Sequence, residues 1–182
     1  MINNILRNEL LKLKERDIST RRQLVENGEL SSSEYHPAMK KVHEKNNSRI
    51  KEIISEFGWP KESEVGEDGA DAVWILVQHA ILEPLFQEKC IALLQLAVDS
   101  GEANAWYLAY LQDRVRVQQG KLQVYGTQHE VKGDLVIPLP TEDPDNVNER
   151  RSLLELWSQE EHTKHLQNDY NENQRNKLKS GG

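Results

Sequence analysis

A chain of 182 residues with 37% hydrophobic and 29% charged residues is long enough to bury one real core, concentrated in part of the sequence. Acidic residues outnumber basic ones by 30 to 23, a formal charge of -7, so a phosphate backbone is repelled on average and nucleic acid is excluded as the expected partner. The longest strongly apolar run, Ala72 to Val77, is too short to span a bilayer, the first residues lack the apolar stretch of a secretory signal, and a lone cysteine cannot close a disulfide within the chain; a cytoplasmic protein is the expectation.

From Ile2 to Glu26, Leu6, Leu10, Leu13, Leu24 and Val25 lie among many charges, which predicts an amphipathic N-terminal helix ended by Gly28 and set apart as residues 1–30. Ser31, Ser32 and Ser33 are N-cap candidates for a second helix reaching Phe57, with Gly58 as its C-cap. His36 and His43 share a face of that helix. With no third or fourth ligand placed nearby, the expectation is two solvent-facing histidines and no metal site.

Trp59-Pro60 opens an expected linker that runs through Gly66 to Gly69. Residues 70–82 then read as a helix that is apolar all round and therefore buried, and Gln78 and His79 inside it must find partners once water is lost. Pro84 starts a helix over 85–100, which carries Cys90 as a small buried hydrophobe beside Ile91, Leu93 and Leu94. Another helix follows to about Gln119 and places Asp113 among Trp106, Ala109, Tyr110 and Val117. Neighbours in sequence do not face each other on a helix, so Asp113 and Arg114 each need a partner elsewhere.

After Gly120 the pattern alternates, predicting a β-hairpin over about 122–137 with Lys132-Gly133-Asp134 at its turn. A helix from Val147 to about Trp157 and a charged C-terminal helix with a frayed tail, 161–182, complete the reading. The Gly181-Gly182 ending suggests a flexible end rather than a conjugation tail. The fold class is mainly α: a compact domain of six or seven helices with one hairpin, its core spanning 31–160.

Trp59-Pro60, Gly66, Gln78-His79-Ala80, Ala109-Tyr110-Leu111 with Asp113-Arg114, Tyr125-Gly126-Thr127-Gln128 and Val147 to Arg151 together resemble an uncharacterised bacterial family, a domain of unknown function. The resemblance covers roughly Tyr35 to Trp157. It implies a bacterial protein and brings no activity with it. Past Gln128 the chain departs from that pattern, with more charge and with Trp157 where a glycine-containing turn is usual.

These residues predict a polar pocket. His79 is its expected acid or base and Asp113 the orienting carboxylate; Gln78, Arg114, Tyr125, Gln128 and Arg150 are expected to bind a small polar or anionic molecule. Tyr125 and Gln128 fall on opposite faces of a regular strand, so sharing a site requires a bend at Gly126. No cofactor and no metal are expected. The alternative is a non-enzymatic module that engages a protein partner, in which the same groups form a structural hydrogen-bond network.

Overall fold

The computed structural model of the protein describes residues 2–29 and 35–180, the last four of these by backbone alone. The Ser31 to Ser33 caps and the Gly181-Gly182 tail expected from the sequence lie outside the described residues. The fold is mainly α, with seven helices and one antiparallel hairpin among the described residues. It divides into two compact units, Met1–Asn104 and Ala105–Gly182. No described helix is long and apolar enough to cross a membrane.

The first unit holds α1 (Asn4–Glu26), α2 (Pro37–Phe57), α3 (Glu62–Gln78) and α4 (Pro84–Asp99). α1 packs along both α3 and α2, and Leu10 in its apolar stripe is fully buried. Three ion pairs brace that packing on the outside: Arg7 to Asp68, Lys14 to Asp71 and Glu9 to Arg49. The cap of α2 is His36, whose Nδ1 accepts from the Ala38 N–H at 3.2 Å, and Pro37 supplies a first helical position that needs no donor.

The expected linker is helical from Glu62. Gly66 at φ 75° kinks the helix there without ending it, so the sequence signal was genuine but marked a bend. At the other end α3 stops at Gln78, four residues short of the expected end, and His79 is its C-cap. Gln87 of α4 holds this terminus by donating its amide to the Val77 and Gln78 carbonyls, at 2.8 and 3.2 Å, satisfying acceptors that a helix end leaves open.

The second unit holds α5 (Ala105–Gln118), β1 (His129–Lys132), β2 (Leu135–Pro138), a 3-10 turn (Pro144–Asn146), α6 (Val147–Ser152) and α7 (Gln159–Ser180). The strands pair from His129 with Pro138 to Lys132 with Leu135, leaving Gly133-Asp134 as the turn. The hairpin thus begins at 129 and not at 122. Its outer strand lies against α7, where Gln167 accepts from Val136 N–H and donates to the Asp134 carbonyl.

Residues 123–128 leave the sheet because they wrap a carboxylate instead. Asp113, fully buried, accepts from the backbone N–H of Val124, Tyr125 and Thr127 and from the Thr127 hydroxyl, at 2.7 to 3.2 Å. Buried donors that would have sought a strand partner find one charged acceptor.

Candidate functional site

On α1 the positions Leu6, Leu10, Leu13, Asp17 and Leu24 form one buried stripe, and on α2 Met39, His43, Asn46, Ile50 and Ile53 form another. Each stripe carries a polar residue into the interior at a site where helical spacing calls for an apolar one. His79 arrives from the end of α3, fixed by its own N–H to the Ile75 carbonyl at 2.9 Å.

The three meet on one oxygen. Asp17 Oδ2 lies 2.9 Å from His79 Nδ1 and 3.0 Å from His43 Nε2, with the imidazole rings 5.4 Å apart between centroids. Asp17 is fully buried and His43 nearly so, whereas 36% of the His79 side chain is open to solvent. Tyr35 hydrogen-bonds through its hydroxyl to His43 Nδ1.

Two details set the cluster apart from a satisfied network. His43 Nε2, despite its short distance to Asp17, has no hydrogen-bond partner among the described residues, and neither has Asp17 Oδ1. Gln78 is buried beside His79 in sequence with both atoms of its amide unpartnered, as is Asn47 Oδ1 one turn from His43. Buried polar groups are normally paired, so this concentration asks for a missing partner.

Burial alone would raise the Asp17 carboxyl pKa; the close approach and charges of His43 and His79 outweigh it and hold the group well below the usual carboxylate range. Burial, followed by the charges of Asp17 and Glu44, pushes the Tyr35 phenol up to about 12. The site therefore presents a carboxylate, two imidazoles and a neutral phenol.

That donor set fits a metal ion. The three ligand atoms lie within 4.8 Å of one another. Ligands on bonds of about 2.1 Å are separated by about 3.0 Å at right angles and about 3.4 Å at the tetrahedral angle, so a small adjustment of the two Asp17 edges, 2.9 and 3.0 Å, admits an ion. When Tyr35 accepts from Nδ1–H of His43, the tautomer leaves Nε2 as a lone pair facing a carboxylate, an arrangement that a cation relieves and that the Tyr35 hydroxyl fixes from behind the ring. Two histidines and one carboxylate leave coordination positions open.

His43 is thus buried and not solvent-facing, and it clusters with Asp17 and His79, whereas His36 caps α2 and takes no part. The signal was the polar interruption of an apolar stripe, by Asp17 on α1 and by His43 on α2.

Of the other residues singled out by sequence, Gln78 lies at the α3 terminus of the first unit, as described. Asp113, Arg114, Tyr125, Gln128 and Arg150 lie in the second unit. Tyr125 and Gln128 join the loop around Asp113, Tyr125 through its N–H and Gln128 through Gln123, whose buried amide receives and returns Gln128 backbone bonds at 2.6 and 3.0 Å. The expected bend at Gly126 is there, at φ 63°. Arg150 donates to the carbonyls of Val124, Glu142 and Asp143, and burial lowers the pKa of Arg114, whose Nε has no partner among the described residues.

A profile of the family of unknown function DUF6624 matches residues 4–175. No curated protein and no solved structure matches the chain.

Proposed function

The chain belongs to that family of unknown function, and we propose that it binds a divalent transition-metal ion through Asp17 Oδ2, His43 Nε2 and His79 Nδ1 and uses it on a small polar substrate. The observation that carries the reading is that, among the described residues, the ligand atom His43 Nε2 and the second carboxylate oxygen, Asp17 Oδ1, are buried without a hydrogen-bond partner on residues that otherwise touch. Burying a carboxylate without using both oxygens is costly, and a cation repays that cost.

A bound ion of this kind supplies Lewis acidity toward a water or a substrate oxygen. The chain's own contribution is to hold the three ligands, to orient His43 through Tyr35, and to leave the exposed edge of His79 as the approach. Gln78, next to His79 with a free amide, is assigned to substrate binding. His79, expected as an acid or base oriented by Asp113, is instead assigned as a metal ligand with Asp17 as its carboxylate partner; Asp113, Tyr125, Gln128 and Arg150 are assigned to the scaffold of the second unit, and Arg114 is kept as a binding residue there.

A purely structural His-Asp-His network is the second reading, favoured by the 2.9 Å bond between Asp17 and His79. Titration with cobalt(II), followed by visible absorption, separates the two. The proposal expects ligand-field bands that saturate at one equivalent and vanish in His43→Ala and His79→Ala. Absence of bands in the folded wild type supports the structural network.

We retain a bacterial, cytoplasmic setting as part of the same proposal, which a single buried cysteine supports. The acidic balance of the chain likewise supports a partner other than nucleic acid.

A further inference from the structure

The bulkiest fully buried side chain described is a charged one. Arg151 on α6 is 1% exposed, yet among the described residues no carboxylate pairs with it. Its Nε donates to the Trp157 carbonyl at 2.6 Å, and its Nη1 to the carbonyls of Tyr125 and Gly126 at 2.7 and 3.4 Å. These neutral acceptors orient the guanidinium without neutralising it, and burial lowers its pKa despite the more distant charges of Asp113 and Glu160. A buried cation with no directly paired counter-charge carries an electrostatic cost that a bound anion reduces.

Arg151 lines a cavity of about 410 Å³ within the second unit, together with Trp106, Tyr110, Trp157, His162 and His165. That volume falls in the range of small-molecule sites. Next to the arginine is a second buried group with an open valence: His162, 7% exposed, meets the Tyr110 hydroxyl at 3.0 Å through Nε2, while its Nδ1 has no partner. With Tyr110 donating to Nε2, Nδ1 carries the hydrogen and requires an acceptor. Burial and the Arg151 charge keep this imidazole neutral, so it adds a donor and no further positive charge.

The remaining walls are aromatic. Trp106 and Tyr110 meet edge to face at 5.7 Å, Trp157 and His165 at 5.2 Å, and Trp157 is 57% exposed at the mouth. A large indole left in solvent beside a cavity gains burial when a flat ring enters. Glu155, exposed at the rim with φ 55°, turns the chain from α6 toward Trp157 and disfavours a multiply charged occupant.

We propose that the Arg151 cavity binds a small aromatic carboxylate, its single negative charge placed against Arg151 and His162 and its ring against Trp106, Tyr110 and Trp157. The chemistry follows from the donors: two buried groups that only donate select an acceptor-only head, and the aromatic walls select a planar body. The site is independent of the metal-binding reading.

The test is calorimetric titration of the full chain with benzoate, benzamide and inorganic phosphate, with tryptophan fluorescence as a second readout. Benzoate is expected to bind saturably at one equivalent and to alter Trp157 emission, with benzamide and phosphate each at least about tenfold weaker, the ratio expected for losing a charge-assisted contact or a stacked ring. Trp157→Ala, at an exposed position whose loss spares the fold, is expected to weaken benzoate several-fold, and Arg151→Lys to weaken it at least about tenfold. Equal affinity for benzoate and benzamide, tighter binding of phosphate, or no saturable benzoate binding by the folded chain overturns the proposal.

Discussion

Asp17 and His79, 62 positions apart in sequence, are joined by a 2.9 Å contact between Oδ2 and Nδ1, with His43 closing on the same oxygen. One carboxylate in an otherwise leucine-lined stripe thereby ties together α1, α2 and the end of α3. A comparable arrangement anchors the second unit on Asp113, but there every bond runs to the protein's own backbone or to Thr127. The contrast between an incompletely partnered carboxylate and a fully partnered one underlies the division into site and scaffold.

Substituting Asp113 by Asn places an amide nitrogen against donors, because both carboxylate oxygens accept N–H bonds. Asp113→Asn is expected to lower unfolding free energy by roughly 2–4 kcal/mol, while Thr127→Val, which removes one hydroxyl bond, costs about 1–2 kcal/mol. Urea unfolding of the two variants measures both. Equal stability of Asp113→Asn and the wild type would show that the loop does not depend on the charge.

At Gly126 a Cβ would collide with the side-chain amide of Gln159, and φ is 63°. Gly126→Ala is therefore expected to destabilise by roughly 1–3 kcal/mol through strain and overlap. Adding Gln159→Ala should restore the part due to overlap and leave about 1 kcal/mol of backbone strain. A double variant no more stable than Gly126→Ala would assign the whole cost to the backbone.

Burial, then the charges of Arg151, His129 and His165, depresses His162 to about 4, below its ordinary value of about 6.5. Folding thus favours the neutral ring. Its contribution to stability is complete above about pH 6.5, falls as acid protonates the unfolded chain first, and levels off near pH 4, at about 1.4 kcal/mol per unit of displacement. His129, also depressed by burial, acts in the same direction. Unfolding free energies across this window should fall less steeply for His162→Gln than for the wild type; parallel curves would refute the assignment.

Cys90 is buried and its thiol is pushed up to about 12 by desolvation. The folded chain should resist a thiol reagent at neutral pH, and denaturant should release one reactive equivalent. Rapid labelling of the native chain would contradict the packing of α4.

Helix identities were legible because Gly28, Gly58, Gly101 and Pro84 punctuate strong apolar patterns. Two boundaries were not. The start of α3 is hidden behind Pro60 and Gly66, which sequence rules read as a linker, although Lys61 and Glu64 form a capping box and the helix passes through the kink. The alternation of 122–128 mimics a strand, but the backbone donors of Val124, Tyr125 and Thr127 go to Asp113, a tertiary partner that no local pattern reveals.

The site was half legible. Gln78 and His79 stood out as polar residues in an apolar helix, whereas Asp17 and His43 sit in helices rich in charge, where one more polar residue attracts no notice. Only their register betrays them: each falls in step with leucines or isoleucines on the buried side. Of the neighbouring arginines Arg150 and Arg151 it is Arg151 that is fully buried, and their adjacency on a short helix gives no sequence cue to which one turns inward.

The central claim is tested most directly by calorimetric titration of the metal-free full chain with zinc(II), beside Asp17→Asn under the same conditions. One equivalent bound by the wild type, with affinity lowered at least about a hundredfold in the folded variant, is the predicted result. Equal binding by both chains, or none by the wild type, would contradict a metal centre at Asp17, His43 and His79.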